Sequence, residues 1–158
     1  MLHIASHKKG FTLVEMLVTL AILAVLAAAI MPLAKVAIKR EKEIELRRNL
    51  RLLREAIDAY KKFADENKIE VEEETYGYPP DLETLVKGVE LKGEGEEGKK
   101  IVKFLRRIPK DPMTNSYDWG LRSYQDDPDS ETWGGENVYD VYTKSRGTAL
   151  DNSKYRDW

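Results

Sequence analysis

Lys8-Lys9-Gly10-Phe11-Thr12-Leu13-Val14-Glu15 runs straight into an apolar stretch at residues 16–34. That stretch holds nineteen residues, with one hydroxyl at Thr19 and no charge. At about 1.5 Å rise per residue it would extend roughly 28 Å as a helix, close to a hydrocarbon core of about 30 Å, and it reads as one transmembrane helix. The order of the parts is unusual: two lysines, one glycine, four largely apolar residues, a lone carboxylate, and then the span. A secretory leader would place its small-residue cleavage site after the apolar stretch, and no such site followed by polar chain is present. Gly10 has no side chain, so a protease can grip the backbone closely there. Glu15 lies where an ionisable group costs at least a few kcal/mol and normally has a partner; the alternative is a carboxylate that snorkels to the membrane interface. Pro32 removes one helix hydrogen bond and pushes against the carbonyl of Ala28, so a kink or loosened turn is expected near it.

Beyond the span the helical signal continues. Leu46, Leu50, Leu53, Ile57, Tyr60 and Ala64 recur at spacings of four and three, which is one narrow helix face. The spacing predicts that residues 11–34 and an amphipathic continuation over residues 35–67 form one helix, on the order of 85 Å long. Residues 35–68 hold eleven Lys/Arg against seven Asp/Glu. The bases alternate with acids and lack interleaved aromatics, which favours a solvated or subunit-packing face over a nucleic-acid surface, so no nucleic acid is expected as a partner.

Residues 69–98 reverse the balance, with ten Asp/Glu against two Lys. Tyr76-Gly77-Tyr78-Pro79-Pro80-Asp81 reads as a rigid turn whose Asp81 caps a short helix through Lys87, with Leu82, Leu85 and Val86 inward and Gly88 as its stop. The glycine- and glutamate-rich residues 93–98 read as a surface loop. A second short helix is predicted over residues 99–106, placing Ile101, Leu105 and Ile108 together before Pro109. Turn residues at 108–116 then lead into strands at 117–124 and 138–143, expected to pair antiparallel across a long connection. The fold class that results is α+β: a long N-terminal helix, transmembrane in its first half and amphipathic in its second, packed on a small antiparallel sheet within residues 68–158.

The 158-residue chain has net charge −2, enough length for a membrane stem plus one small domain, and no cysteine. Both histidines, His3 and His7, precede Phe11, so a chain beginning at Phe11 would lack Ser-His-Asp, Cys-His and His-metal chemistry altogether. No enzyme is expected.

Lys9-Gly10-Phe11-Thr12-Leu13-Val14-Glu15-Met16-Leu17 resembles the class III leader of type IV pilins and type II secretion pseudopilins. The resemblance implies that residues 1–10 are a leader, that a prepilin peptidase cuts between Gly10 and Phe11, and that the new Phe11 amine is methylated. It implies also that Glu15 pairs with a neighbouring subunit's amine during filament assembly. Tyr78-Pro79-Pro80-Asp81, then Ile108-Pro109-Lys110-Asp111-Pro112, then the strand at 138–143 and Asp157-Trp158 are similar, in the same order, to the major G-type pseudopilin. The chain departs from the shortest members of that family in its 88–98 insert and its 125–136 connection.

Lysines and arginines after the span would by themselves put the C-terminal part in the cytoplasm. The leader implies the opposite orientation, because its peptidase works on the cytoplasmic side. The expected location is then the bacterial inner membrane, single-pass, with the C-terminal domain in the periplasm and the chain assembled into a periplasmic filament. The expected partners are the prepilin peptidase, further copies of the chain, minor pseudopilins, an inner-membrane assembly platform and membrane lipid. The expected function is a structural subunit of a pseudopilus driving type II secretion of folded proteins. The alternatives are a type IV pilus subunit serving adhesion, motility or DNA uptake, and a membrane-anchored periplasmic binding module that never polymerises.

G-type pseudopilins are known for calcium in the C-terminal loop, and the resemblance points to Asp151, Ser153 and Asp157 as Ca²⁺ ligands with backbone carbonyls. A capped surface turn is the alternative for these residues. Asp126, Asp127 and Asp129 form a rival, more charged loop without support from the family.

Overall fold

The computed structural model describes residues 10–93 and 100–158. Residues 1–9 of the expected leader and residues 94–99 of the expected surface loop lie outside them. The chain divides into two compact units, Met1–Lys39 and Arg40–Trp158. Helix α1, Leu13–Asp65, enters both.

In the first unit residues 16–34 of α1 carry no charge, with an 18-residue window of mean hydropathy 2.6, long and apolar enough to cross a membrane. Its one hydroxyl is satisfied internally, since Thr19 Oγ1 donates to the Met16 carbonyl at 2.9 Å. Helical assignment continues through Pro32, whose missing N–H leaves the Ala28 carbonyl without its donor four residues on.

In the second unit the stripe read from the sequence is the core: Leu46, Leu50, Leu53, Ile57 and Tyr60 are buried, with Ala64 packed at its edge. Each fully buried aliphatic there contributes about 1.5–3 kcal/mol. Helix α2, Leu82–Lys87, lays Leu82 and Leu85 onto that stripe. Asp81 caps it by accepting from Thr84 N at 2.6 Å and Thr84 Oγ1 at 2.9 Å. Gly88 ends it at φ +87°, where a Cβ would stand 2.5 Å from the Val102 carbonyl oxygen, so only glycine fits.

The helix predicted over residues 99–106 is not formed. Ile101–Val102 is strand β2 instead, paired antiparallel with β1, Val89–Glu90. Ile101, Leu105 and Ile108 do not share a buried face either: Leu105 is buried and Ile108 half-buried, but Ile101 is exposed. The N–H groups of Phe104 and Leu105 both donate to the Leu85 carbonyl, at 3.0 and 2.9 Å, which buries Leu105 without a helix. Phe104 meets Tyr60 and Phe63 edge-on at 5.4 and 5.3 Å.

The predicted C-terminal strands pair as expected but are shorter than their composition suggests. Strand β3 is Gly120–Arg122 and β4 is Asp140–Tyr142, antiparallel, with Gly120 opposite Tyr142. The Tyr142 ring lies over Gly120, 2.3 Å from where a Cβ would stand, which accounts for a glycine in that strand. The architecture is therefore α+β, one long helix with two small antiparallel sheets.

Candidate functional site

The first candidate lies at the start of α1. Thr12 is the hydroxyl residue immediately before the helix, and its Oγ1 accepts from the Glu15 N–H at 3.2 Å. Thr12-Leu13-Val14-Glu15 is thus the T-x-x-E pattern that marks a helix N-terminus. The cap fixes where the helix begins, two residues past Phe11, and puts the Glu15 carboxylate in the first turn, where the helix dipole favours negative charge. Gly10 and Phe11 are exposed and precede the helix. Among the described residues Glu15 makes no ion pair. The apolar side chains that follow have no cover either: Leu13, Leu17 and Leu20 are all more than half exposed.

The second candidate is the C-terminal loop of the second unit. Glu43, Arg47 and Arg54 sit at i, i+4 and i+11 on α1, one stripe flanking the apolar one. Buried Glu43 accepts through one oxygen from Tyr155 Oη at 2.8 Å and from Leu150 N at 2.9 Å. Burial first, and this bond second, push the Tyr155 hydroxyl up to about 12. Arg54 donates to Asp140 at 2.7 Å, to the Val141 carbonyl at 3.2 Å and to the Trp158 main-chain oxygen at 2.7 Å. Arg47 stacks on the Trp158 ring, 4.1 Å from its centroid, and reaches Asp151 Oδ2 at 3.5 Å.

The structure brings Asp151 and Ser153 together but not as cation ligands. Asp151 Oδ1 accepts from Ser153 N at 2.9 Å and Ser153 Oγ at 2.6 Å, bonds which, ahead of Arg47, hold its carboxyl below the usual range. Ser153 Oγ in turn accepts from Trp158 Nε1 at 2.7 Å. Asp157 faces a different partner, Arg156, at 3.5 Å. Calcium asks for six to eight free oxygens, whereas here both carboxylates face a guanidinium and the hydroxyl oxygen is occupied. Among the described residues no group of three or more His, Cys, Asp or Glu could hold a metal ion. As placed here, Asp151, Ser153 and Asp157 do not converge as a set of free oxygens, and Arg47 lies beside Asp151 at the surface. In the rival loop, Asp126 Oδ2 is taken up by the N–H groups of Ser123 and Gly134, at 2.7 and 3.1 Å.

Two buried carboxylates were missed by the sequence reading. Glu43 stands three residues before Leu46, at the edge of the apolar stripe, and that position was the available signal. Fully buried Asp111 accepts from Met113 N, Thr114 Oγ1 and Thr143 Oγ1, at 2.8, 2.9 and 2.6 Å, and so ties the 111–116 turn to the end of β4.

Comparison with curated proteins and with solved structures gave no significant match to the chain. Residues 5–31 match the family model described as the prokaryotic N-terminal methylation motif. Together with the apolar helix, that match fits single-pass anchoring in an inner membrane. The capped helix start behind Gly10 and the uncovered side chains of Leu13, Leu17 and Leu20 all fall within the matched residues.

Proposed function

We propose that the chain is the structural subunit of a periplasmic pseudopilus that drives type II secretion of folded proteins across the outer membrane. The observation that carries the reading is the junction at Gly10. An exposed Gly10–Phe11 bond is followed at once by a capped helix whose first turn holds a carboxylate and whose next nineteen residues, 16–34, carry no charge. Cleavage before Phe11 leaves this helix whole and creates one new cation, an amine with a reference pKa near 8. A carboxylate in an apolar layer is costly alone. Beside a neighbour's Phe11 amine it gains both charge and hydrogen bonds, so Glu15 sets the register between stems while Leu13, Leu17 and Leu20 supply adhesion.

Support for a secretion pseudopilus over a surface pilus comes from the C-terminal part. Pilins proper usually close that region with a disulfide, and this cysteine-free chain closes it with Glu43, Arg47 and Arg54. In this role the chain is acted on by the prepilin peptidase, polymerises with itself, and works with minor pseudopilins and an inner-membrane assembly platform. Cell fractionation followed by shearing tests the reading. A pseudopilin stays with the envelope at native expression and yields filaments when overproduced. Recovery in the sheared medium at native expression would make it a pilus subunit, and monomer under every condition would make it an anchor.

A further inference from the structure

Two segments of the second unit carry opposite charge. Residues 100–110 hold five Lys/Arg and no Asp/Glu, and residues 70–74 hold four glutamates and no base. None of these nine side chains forms an ion pair among the described residues. Each segment also presents apolar surface. Val71 is 38 % exposed among its glutamates. Beside the basic segment lies an apolar cleft of about 350 Å³ lined by Val86, Ile108 and Tyr117, with Arg107 and the Glu83–Lys87 ion pair on its rim.

The two segments begin at one level, where Ile69 bridges Leu91 and Leu91 N donates to the Lys100 carbonyl at 3.0 Å, and then diverge along α1. The basic one runs back along the helix, from Phe104 on Tyr60 and Phe63 to Lys110, whose carbonyl accepts from Asn49 Nδ2 at 2.9 Å. The acidic one leaves beyond the end of α1 at Asp65. From Asn49 to Phe63 the helix rises roughly 21 Å. A copy shifted along the helix direction can therefore bring its acidic segment level with its neighbour's basic segment. Two different patches that complement each other make a head-to-tail contact, and repetition of such a contact generates an open helical polymer unless the rotation closes.

We propose that the Val86–Ile108–Tyr117 cleft receives the 70–74 segment of a second copy, with Val71 entering the cleft and Glu73 and Glu74 facing Arg106 and Arg107. The inference rests on the filament reading and gives it a second, head-level contact, distinct from the one at Glu15. The exposed charges supply orientation more than affinity, and their contribution weakens with salt.

The chain contains no cysteine, so disulfide trapping is clean. Full-length Val71→Cys and Tyr117→Cys chains, mixed in detergent and oxidised mildly, should give a mixed dimer at least fivefold above either chain coupled to itself. Adding Arg106→Glu and Arg107→Glu to the Tyr117→Cys chain should cut it at least fivefold. Adding Glu73→Lys and Glu74→Lys to the Val71→Cys chain should then restore it. No mixed dimer from a chain that still forms filaments overturns the contact and leaves the filament reading intact. A charge-dependent mixed dimer from a chain that forms no filaments upholds the contact and removes the filament reading. Absence of both removes both. Arg106- and Arg107-dependent retention of the full chain on DNA, without the mixed dimer, assigns the basic segment to a polyanion and overturns the proposal.

Discussion

Tyr155→Phe isolates the bond that fastens the C-terminal loop to α1. The substitution keeps the ring, with its edge-on contact to Trp158 at 5.1 Å, and removes only the hydroxyl that donates to buried Glu43. Among the described residues Glu43 is then left with Leu150 N as its donor. A hydrogen bond to a charged acceptor contributes about 1.5–3 kcal/mol, and removing one partner of a buried group exposes that full cost. For a folded part of this size each kcal/mol moves the melting temperature by roughly 3–5 °C, so the variant should melt roughly 5–15 °C lower. The pH dependence follows the same bond. Tyr155 has a raised pKa in the folded chain, so its contribution is complete below about 10 and is lost as pH rises towards about 12. Thermal unfolding of the full-length chain in detergent, followed by circular dichroism from pH 7 to 11.5, reads both effects. A variant that melts within 2 °C of the parent at pH 7 would refute the account of the loop.

Chelation gives a second check: with Asp151 and Ser153 bonded to each other and Ser153 to Trp158, melting with chelator and with millimolar calcium should agree within 1 °C, and a calcium-dependent rise would assign Asp151, Ser153 and Asp157 as ligands. Gly88→Ala puts a Cβ against the Val102 carbonyl at positive φ and should destabilise by roughly 2–3 kcal/mol in denaturant titration. Mass spectrometry of the chain from cells with a working prepilin peptidase should show a start at Phe11 carrying one methyl group; an intact Met1 start would remove the processing scheme.

The parts of the fold that local chemistry specifies were legible from sequence. The buried stripe from Leu46 to Tyr60 follows from helical period, and α2 follows from Asp81 before it and Gly88 after it. Strand content was legible at 117–124 and 138–143, but not where pairing stops, since β propensity does not say which residues find a partner. The 99–106 region misled because a spacing of four and three also suits a loop that hangs two N–H groups on one carbonyl, that of Leu85. At the N-terminus the motif was readable because Thr12, Glu15 and Gly10 act within six residues. The C-terminal clamp was not. Arg54 meets Asp140 across 86 positions and Glu43 meets Tyr155 across 112, pairings that only the folded chain assembles. The calcium expectation came from resemblance alone, and the arginine that lies beside Asp151 is on a different element, 104 residues away.

The central claim, that this is a filament subunit whose register is set at Glu15, is tested most directly by Glu15→Gln. The amide keeps the shape and the first helical turn and removes the charge. Filaments counted by electron microscopy and cleaved chain measured by blot, in the same cells, separate assembly from insertion and processing. The account predicts normal levels of cleaved chain in the membrane with filament yield reduced at least tenfold. Filament yield equal to that of the parent chain would contradict it.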